Sequence, residues 1–332
     1  HDGRMTRDIA IFAGVSVVAG VYAFGQGTHA AGTRPILVPS LVDYIGAILL
    51  IASTIAIMTY HRSRLLVLVL IGINGLVVAV IFVRLSAPDL AMTQVTVEVV
   101  TLILMLLALH FLPKHSPRES GLSRRGRVMA SAGAGGVAVA ALAWWLLSRD
   151  FETISGYYLE NAKPEGGGTN VVNVILVDFR GYDTFGEIIV LGIAALLIYA
   201  LEEALMDGRA SRKLANWVHD MRYSKDRHPL MMVVATRLMM PISLMVGVYI
   251  FLRGHNEPGG GFIAGLVVAI ALLMQYMASG FAWATERIQI PYHALIGWGV
   301  LIAGITGIGA WFNGLPFLTS AYGYVHIPPI EE

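Results

Sequence analysis

No cysteine occurs among the 332 residues of this chain. That absence excludes disulfides, Cys-ligated zinc and iron–sulfur clusters. Charge is scarce too. Asp, Glu, Lys and Arg make up 14% of the sequence, against about a quarter in a soluble domain. The ten histidines supply no His-x-x-x-His pair on a predicted helix face, so a structural metal site lacks its ligand spacing. No nucleophile–base pair and no cofactor fingerprint is present, and enzymatic chemistry has no support. What fills the sequence instead is apolar: 56% of the residues are hydrophobic, the composition of an integral membrane protein.

Nine apolar runs are long enough to cross a bilayer, at approximately 9–25, 41–59, 65–84, 89–112, 128–147, 184–203, 229–252, 260–283 and 292–311. A hydrocarbon core of about 30 Å takes roughly 20 helical residues. The runs are nearly continuous rather than alternating, which is the pattern of helices and not of a β-barrel. The expected fold is an all-α, polytopic membrane helix bundle of about nine transmembrane helices. Ile9–Gly25 follows Arg4 and Arg7 and also fits a signal peptide, but a first transmembrane helix agrees better with the topology. Because residue 1 is His rather than Met, the chain is expected to be cut from a longer polypeptide.

Lys and Arg set the orientation. With the N-terminus in the cytoplasm and each helix reversing direction, sixteen of them fall inside, including Arg4, Arg62, Lys114, Arg124, Arg209, Arg222 and Arg287. Six fall outside: Arg34, Arg84, Arg149, Lys163, Arg180 and Arg253. The distribution predicts a cytoplasmic N-terminus and an external C-terminus. Two basic or mixed-charge stretches, Pro113–Arg127 and Met206–Arg227, divide the chain into four helices, two helices around a large outer loop, and three helices.

Glu98 is the lone charge in the run Leu90–Leu112. It lies about 12 Å below the Leu90 end at about 1.5 Å per residue. A carboxylate there costs about 2.5–3.5 kcal/mol by insertion scales unless it is protonated, paired or wetted. Gln94, Glu98 and Thr101 follow i, i+4, i+7 and share one face, with Thr93 and Thr96 to either side. The stripe reads as a proton or sodium relay, or as a polar seam joining helices.

Other residues admit two readings each. Asp43 and Asp89 begin apolar runs, where a carboxylate complements the helix dipole; a further role at the mouth of an ion path is the alternative. Asn170–Glu187, NVVNVILVDFRGYDTFGE, joins a β-branched stretch to Asp178, Arg180, Asp183 and Glu187. It is a folded outer loop with a helix cap at Tyr182–Thr184, or a carboxylate cluster around Arg180 that collects cations. Mg or Ca ligand spacing is not met. Arg237 sits about 12 Å inside its helix before snorkelling and calls for an acidic partner, in a helix-locking bridge or an ion path. The turn Arg253–Phe262, RGHNEPGGGF, lets helices approach closely and lacks the Gly-Lys-Ser/Thr ending of a phosphate-binding loop. His255 in it is a solvated loop histidine or a protonatable group.

Three segments carry a family resemblance. APDLAMTQVTVEVVTLILMLLALHFLP (Ala87–Pro113) resembles the C-terminal membrane part of the A subunit of the Mrp-type multi-subunit Na+/H+ antiporters, and the D subunit of membrane-bound hydrogenases. NVVNVILVDFRGYDTFGEIIVLGIAALLIYALE (Asn170–Glu202) is similar to the hydrogenase-E-type segment that follows it. RHPLMMVVATRLMMPISLMVGVYIFLRGHNEPGGGFIAGLVVA (Arg227–Ala269) is similar to the B subunit of the same antiporters. The order implies an A-type tail fused to the B subunit. The implied domains are residues 1–40 as a first helix and outer loop, 41–126 as the A-type tail, 127–205 as the E-like module, 206–228 as a cytoplasmic linker and 229–332 as a B-like module lacking its last helix.

The resemblance implies a bacterial plasma-membrane, multi-pass component of an antiporter exchanging cytoplasmic sodium for external protons, a secondary transporter rather than an enzyme. It implies no cofactor beyond the transported ions Na+ and H+. The implied partners are the remainder of the A protein, the C, D, E, F and G proteins of the Mrp antiporter, and the lipid bilayer, with no nucleic acid. Glu98 matches the family's intramembrane acid, Glu187, Asp178 and Asp183 its outer-loop motif, and Arg237, His255 and Glu257 the B-type pattern. A non-conducting scaffold and the membrane arm of a redox-driven pump are the rival functions.

Overall fold

The computed structural model describes residues 5–27, 32–34, 38–110, 121–206, 230–287 and 289–323. Among them the chain is helical with no strand, and nine helices are long and apolar enough to span a membrane. These nine correspond in number and order to the nine apolar runs read from the sequence, with one run ending early. The expected linker over 206–228 lies almost wholly outside the described residues.

The chain forms two compact units. The first contains α1 (Met5–Gln26), α2 (Leu41–Tyr60), the start of α3 (Arg64–Arg84) and α5 (Leu122–Leu147). Here α1 packs on α5, with Phe24 and Trp145 edge-on at 5.7 Å. The Arg149 guanidinium lies 3.9 Å over the Trp145 ring, a cation–π contact. The backbone N–H of Arg34 donates to the Ser148 carbonyl at 3.1 Å. Ser40 caps α2: its hydroxyl accepts the Asp43 N–H, and the Asp43 carboxylate accepts the Ser40 N–H at 2.7 Å. This reciprocal box satisfies donors that a helix start leaves open, so the capping role expected of Asp43 is what the geometry shows.

The second unit holds the body of α3, α4 (Pro88–His110), α6 (Ser155–Gly166), α7 (Val171–Val174), a π-helical turn (Ile175–Phe179), α8 (Gly181–Met206), α9 (Leu230–Arg253), α10 (Gly261–Ser279), α11 (Phe281–Arg287) and α12 (Tyr292–Gly309). Gly247 lets α9 close on Val268 and Ala264 of α10. Met92 of α4 packs on the cluster Ile250, Ile263 and Ala264. α12 lies along α8, with Val300 at Gly192 and Tyr199 edge-on to His293 at 4.4 Å.

Two expectations change. The β-branched stretch after Asn170, expected as a folded outer loop, is helical: α7 runs into the π turn despite the strand preference of Val and Ile. Val174 is fully buried there. The run 260–283 is not one helix; Gly280 takes φ 83° and α11 starts afresh after it. Most large apolar side chains on the spanning helices stay exposed, and no span is more than 28% buried within the chain. Their apolar faces are left for lipid or for other proteins.

Candidate functional site

Glu98 lies ten residues into α4, about 15 Å from its start. Its carboxylate is directed at Gly75 of α3, where a Cβ would collide with the carboxyl group. Glycine at 75 is therefore what gives the acid its seat. Oε1 of Glu98 is buried and has no hydrogen-bond partner within the described residues. One turn along, Gly72 faces Leu102 in the same way, at 3.0 Å from its Cδ1.

The rest of the stripe divides. Gln94 is half-buried and Thr101 exposed. Thr93 and Thr96 turn their hydroxyls back onto the carbonyls of Asp89 and Met92, both at 2.9 Å, so they serve their own helix. A polar group that sequence reasoning misses is Gln275 on α10, the helix packed against α4. It is 2% exposed, and neither amide atom has a hydrogen-bond partner among the described residues. Ser279, one turn further, has a buried unpartnered hydroxyl as well. The signal that could have found Gln275 is weak: it is the sole amide side chain in a run of apolar residues.

A second constellation sits where α4 and α10 begin. Asp89, 8% exposed, accepts the N–H of Gly259 at 2.8 Å and the Asn170 amide at 3.3 Å. Asn170 also donates to the carbonyls of Gly254 and Glu257 at 3.1 and 3.0 Å, and its own N–H donates to the His255 carbonyl at 3.1 Å. Thr169 bonds Asn256 through its N–H and hydroxyl. Asp89 thus does more than complement a helix dipole: it ties three stretches far apart in sequence. Nothing in the local pattern around Asn170 reveals the contact.

His255 is not a free loop histidine. Its Nε2 lies 2.7 Å from the Gly166 carbonyl and 3.8 Å from Asp178 Oδ2. The Asp178 side chain is 9% exposed and Oδ2 has no hydrogen-bond partner among the described residues. Burial pushes the Asp178 carboxyl above the ordinary carboxylate range, while a hydrogen bond from Ser320 and the charge of His255 pull it back.

The expected cluster of carboxylates around Arg180 does not form. Among the described residues Arg180 pairs with Asp183 alone, at 2.6 Å and well exposed. Asp178 points to His255, and Glu187 is exposed a turn beyond Asp183. Residues two apart on a helical turn do not face each other, so Asp178 and Arg180 diverge. Glu257 reaches Arg253 only at 4.0 Å. Arg237 has no acidic partner among the described residues; its guanidinium lies 4.8 Å over the Trp283 ring, which Arg287 also approaches at 4.5 Å. An aromatic face replaces the acid that its depth called for. Among the described residues no group of three His, Asp or Glu side chains could hold a metal ion.

Comparisons with known proteins divide the chain in three. A family model described as a domain related to the MnhB subunit of Na+/H+ antiporter matches residues 231–332. Models for the E and D subunits of MBH match residues 123–215 and 48–114. The chain is 42% identical over 291 residues to the A/B subunit of a probable K(+)/H(+) antiporter of Rhizobium meliloti, covering 81% of this chain and 29% of that protein. It is 40% identical over 174 residues to the A subunit of the Na(+)/H(+) antiporter of Alkalihalophilus pseudofirmus, covering 50% of this chain and 21% of that one. A chain of the Mrp complex from Dietzia sp. DQ12-45-1b superposes with a TM-score of 0.81 at 31% identity, over 98% of this chain and 36% of its own length. The chain spans well under half the length of each of these relatives.

Proposed function

We propose that the chain belongs to the family of the Mrp-type antiporter A and B subunits, as a membrane component of a multi-subunit antiporter exchanging a monovalent cation, Na+, for protons across the bacterial plasma membrane. Glu98 carries the reading. A carboxylate half-way through a spanning helix, its Oε1 enclosed and unpartnered, seated on a glycine of the next helix, is costly as structure alone. It becomes useful when it takes up and releases a proton or Na+. Gln94 beside it and Gln275 on the packed helix α10 add polar character along the same route.

The partners in this reading are the remainder of the A protein and the C, D, E, F and G proteins of the antiporter. Sixteen Lys and Arg on one side against six on the other support a cytoplasmic N-terminus. Asp89, Asp178 and His255 then face outward, where protons enter. Secondary transport driven by the membrane potential or proton gradient follows, with no chemistry at a cofactor.

One observation favours a scaffold. The Asp89–Asn170–Gly259 contacts bind together stretches that match three separate domain models. Antiport in vesicles bearing the assembled complex with Glu98→Gln separates the two. The relay reading expects antiport to be lost while native gels show an intact complex. Full antiport from an intact Glu98→Gln complex overturns the relay and leaves the scaffold.

A further inference from the structure

The Glu98 route does not use one buried acid of the second unit. Asp178 is enclosed at the end of the unit where α4, α8 and α10 start, more than nine-tenths buried, with its Oδ2 unpartnered. The group that faces it is the imidazole of His255, brought from 77 residues away in sequence by the turn between α9 and α10.

The seat of that imidazole is built. A Cβ on Gly166 would run into Val174 and stand 3.4 Å from Asp178 Oδ2. One on Gly168 would stand 2.7 Å from His255 Cδ2. Glycine at both positions opens the space in which carboxylate and imidazole meet. The His255 backbone is held as well, its carbonyl accepting the Asn170 N–H. Because the Gly166 carbonyl can only accept, Nε2 of His255 carries a hydrogen, and Nδ1 is the nitrogen left to gain or lose one.

Most of the surrounding charges are engaged elsewhere. Asp89 of α4 faces Gly259 and Asn170, Glu257 and Arg253 face each other, Asp183 of α8 holds Arg180, and Glu165 of α6 accepts from Tyr157 at 3.0 Å. Glu160 and Lys163 of α6 and Glu187 of α8 form no ion pair among the described residues. The C-terminal segment contributes the Ser320 hydroxyl, and Tyr322, whose hydroxyl donates to the Pro164 carbonyl. His255 is thus the charge that answers Asp178.

We propose that Asp178 and His255 form a proton-binding pair, distinct from Glu98, that shares one proton, carried either on the Asp178 carboxylate or on Nδ1 of His255. With the proton bound, the pair is either acid and neutral imidazole or carboxylate and imidazolium, and its net charge is zero. Without it, a buried carboxylate faces a neutral ring with only the Ser320 hydroxyl to offset its charge. Occupancy is transmitted by the backbone: His255 lies in the turn whose Gly259 N–H is bonded to Asp89 at the head of α4, the Glu98 helix. Loss of the proton loosens that turn.

The test uses the full chain in its assembled complex, and only its transport arm rests on the antiporter reading. Hydrogen exchange of residues 254–260 is followed from about pH 8.5 to about pH 6, the window in which imidazole charge changes, after correction for intrinsic exchange rates. Protection in the wild type is expected to rise about fivefold or more on acidification, as local opening becomes rarer. Asp178→Asn and His255→Gln, the second of which keeps a donor for Gly166, are expected to abolish that rise. In vesicles the same variants are expected to flatten the dependence of antiport on pH at the Asp178 face only. Wild-type protection that does not vary with pH, or variants that retain the full rise, overturns the pair. A wild-type complex that shows the rise but no antiport overturns the antiporter reading and leaves the pair standing.

Discussion

The Asp89 carboxylate accepts the backbone N–H of Gly259 at 2.8 Å, across 170 positions of sequence. One acid at the head of α4 therefore fixes the turn that starts α10. Asp89→Ala removes the acceptor for both Gly259 and the Asn170 amide, and a buried donor left without a partner costs about 1–3 kcal/mol. The variant is expected to unfold at lower temperature in detergent, with faster hydrogen exchange in residues 254–260. Asp89→Asn, which keeps one acceptor oxygen, should lose less. Equal melting of Asp89→Ala and wild type would show that the contact adds nothing.

Gly75 and Gly72 give an internal comparison on one helix. A methyl at 75 meets the Glu98 carboxyl group, including Cγ at 2.8 Å, whereas a methyl at 72 meets the flexible end of Leu102 at 3.0 Å. Gly75→Ala is expected to displace Glu98 and to cut antiport by tenfold or more, about 1.4 kcal/mol if read as a free-energy change. Gly72→Ala should keep most of it. Similar transport by both variants would mean that the seat of Glu98 is unimportant.

Asp178 makes stability depend on pH with a definite sign. Burial, the largest influence on it, raises its folded pKa above the unfolded value. The folded state then binds the proton more tightly, so the contribution is complete below the ordinary carboxylate range and is lost as pH rises through the raised value. Asp178→Asn, permanently neutral, is expected to match the wild type in acid and to exceed its melting temperature at neutral and alkaline pH. Melting curves across that range decide it; a variant less stable than wild type at high pH contradicts the burial argument.

Gln275 holds two unpartnered amide atoms in a nearly closed site. Exchange for an apolar group of similar size removes that desolvation cost. Gln275→Leu is expected to leave the complex as stable as the wild type or more so, while antiport falls. A fall in stability with normal transport would mark the amide as structural.

The spanning helices are legible in the sequence because apolar runs of bilayer length have few alternatives, and Glu98 because a lone charge in such a run is conspicuous. Asp43 is legible for a local reason, since a cap lies within three residues of its partner. The pairing of Asp178 with His255 is not, since the two lie 77 residues apart and nothing local to either names the other. The depth of Arg237 calls for an acid; the Trp283 ring that meets it comes from α11, a helix hidden inside what looks like one continuous apolar run.

The sequence by itself determined the number of spans, their extents and the depth of the intramembrane acid, because lipid imposes length and hydropathy on each helix separately. Only the tertiary structure decided which polar groups meet. Asp89 finds Gly259, Glu98 finds Gly75 and Asp178 finds His255 through helix packing and turn geometry. In a chain this apolar, the few polar side chains have few partners to choose from, and the close approach allowed by glycine settles which ones they reach.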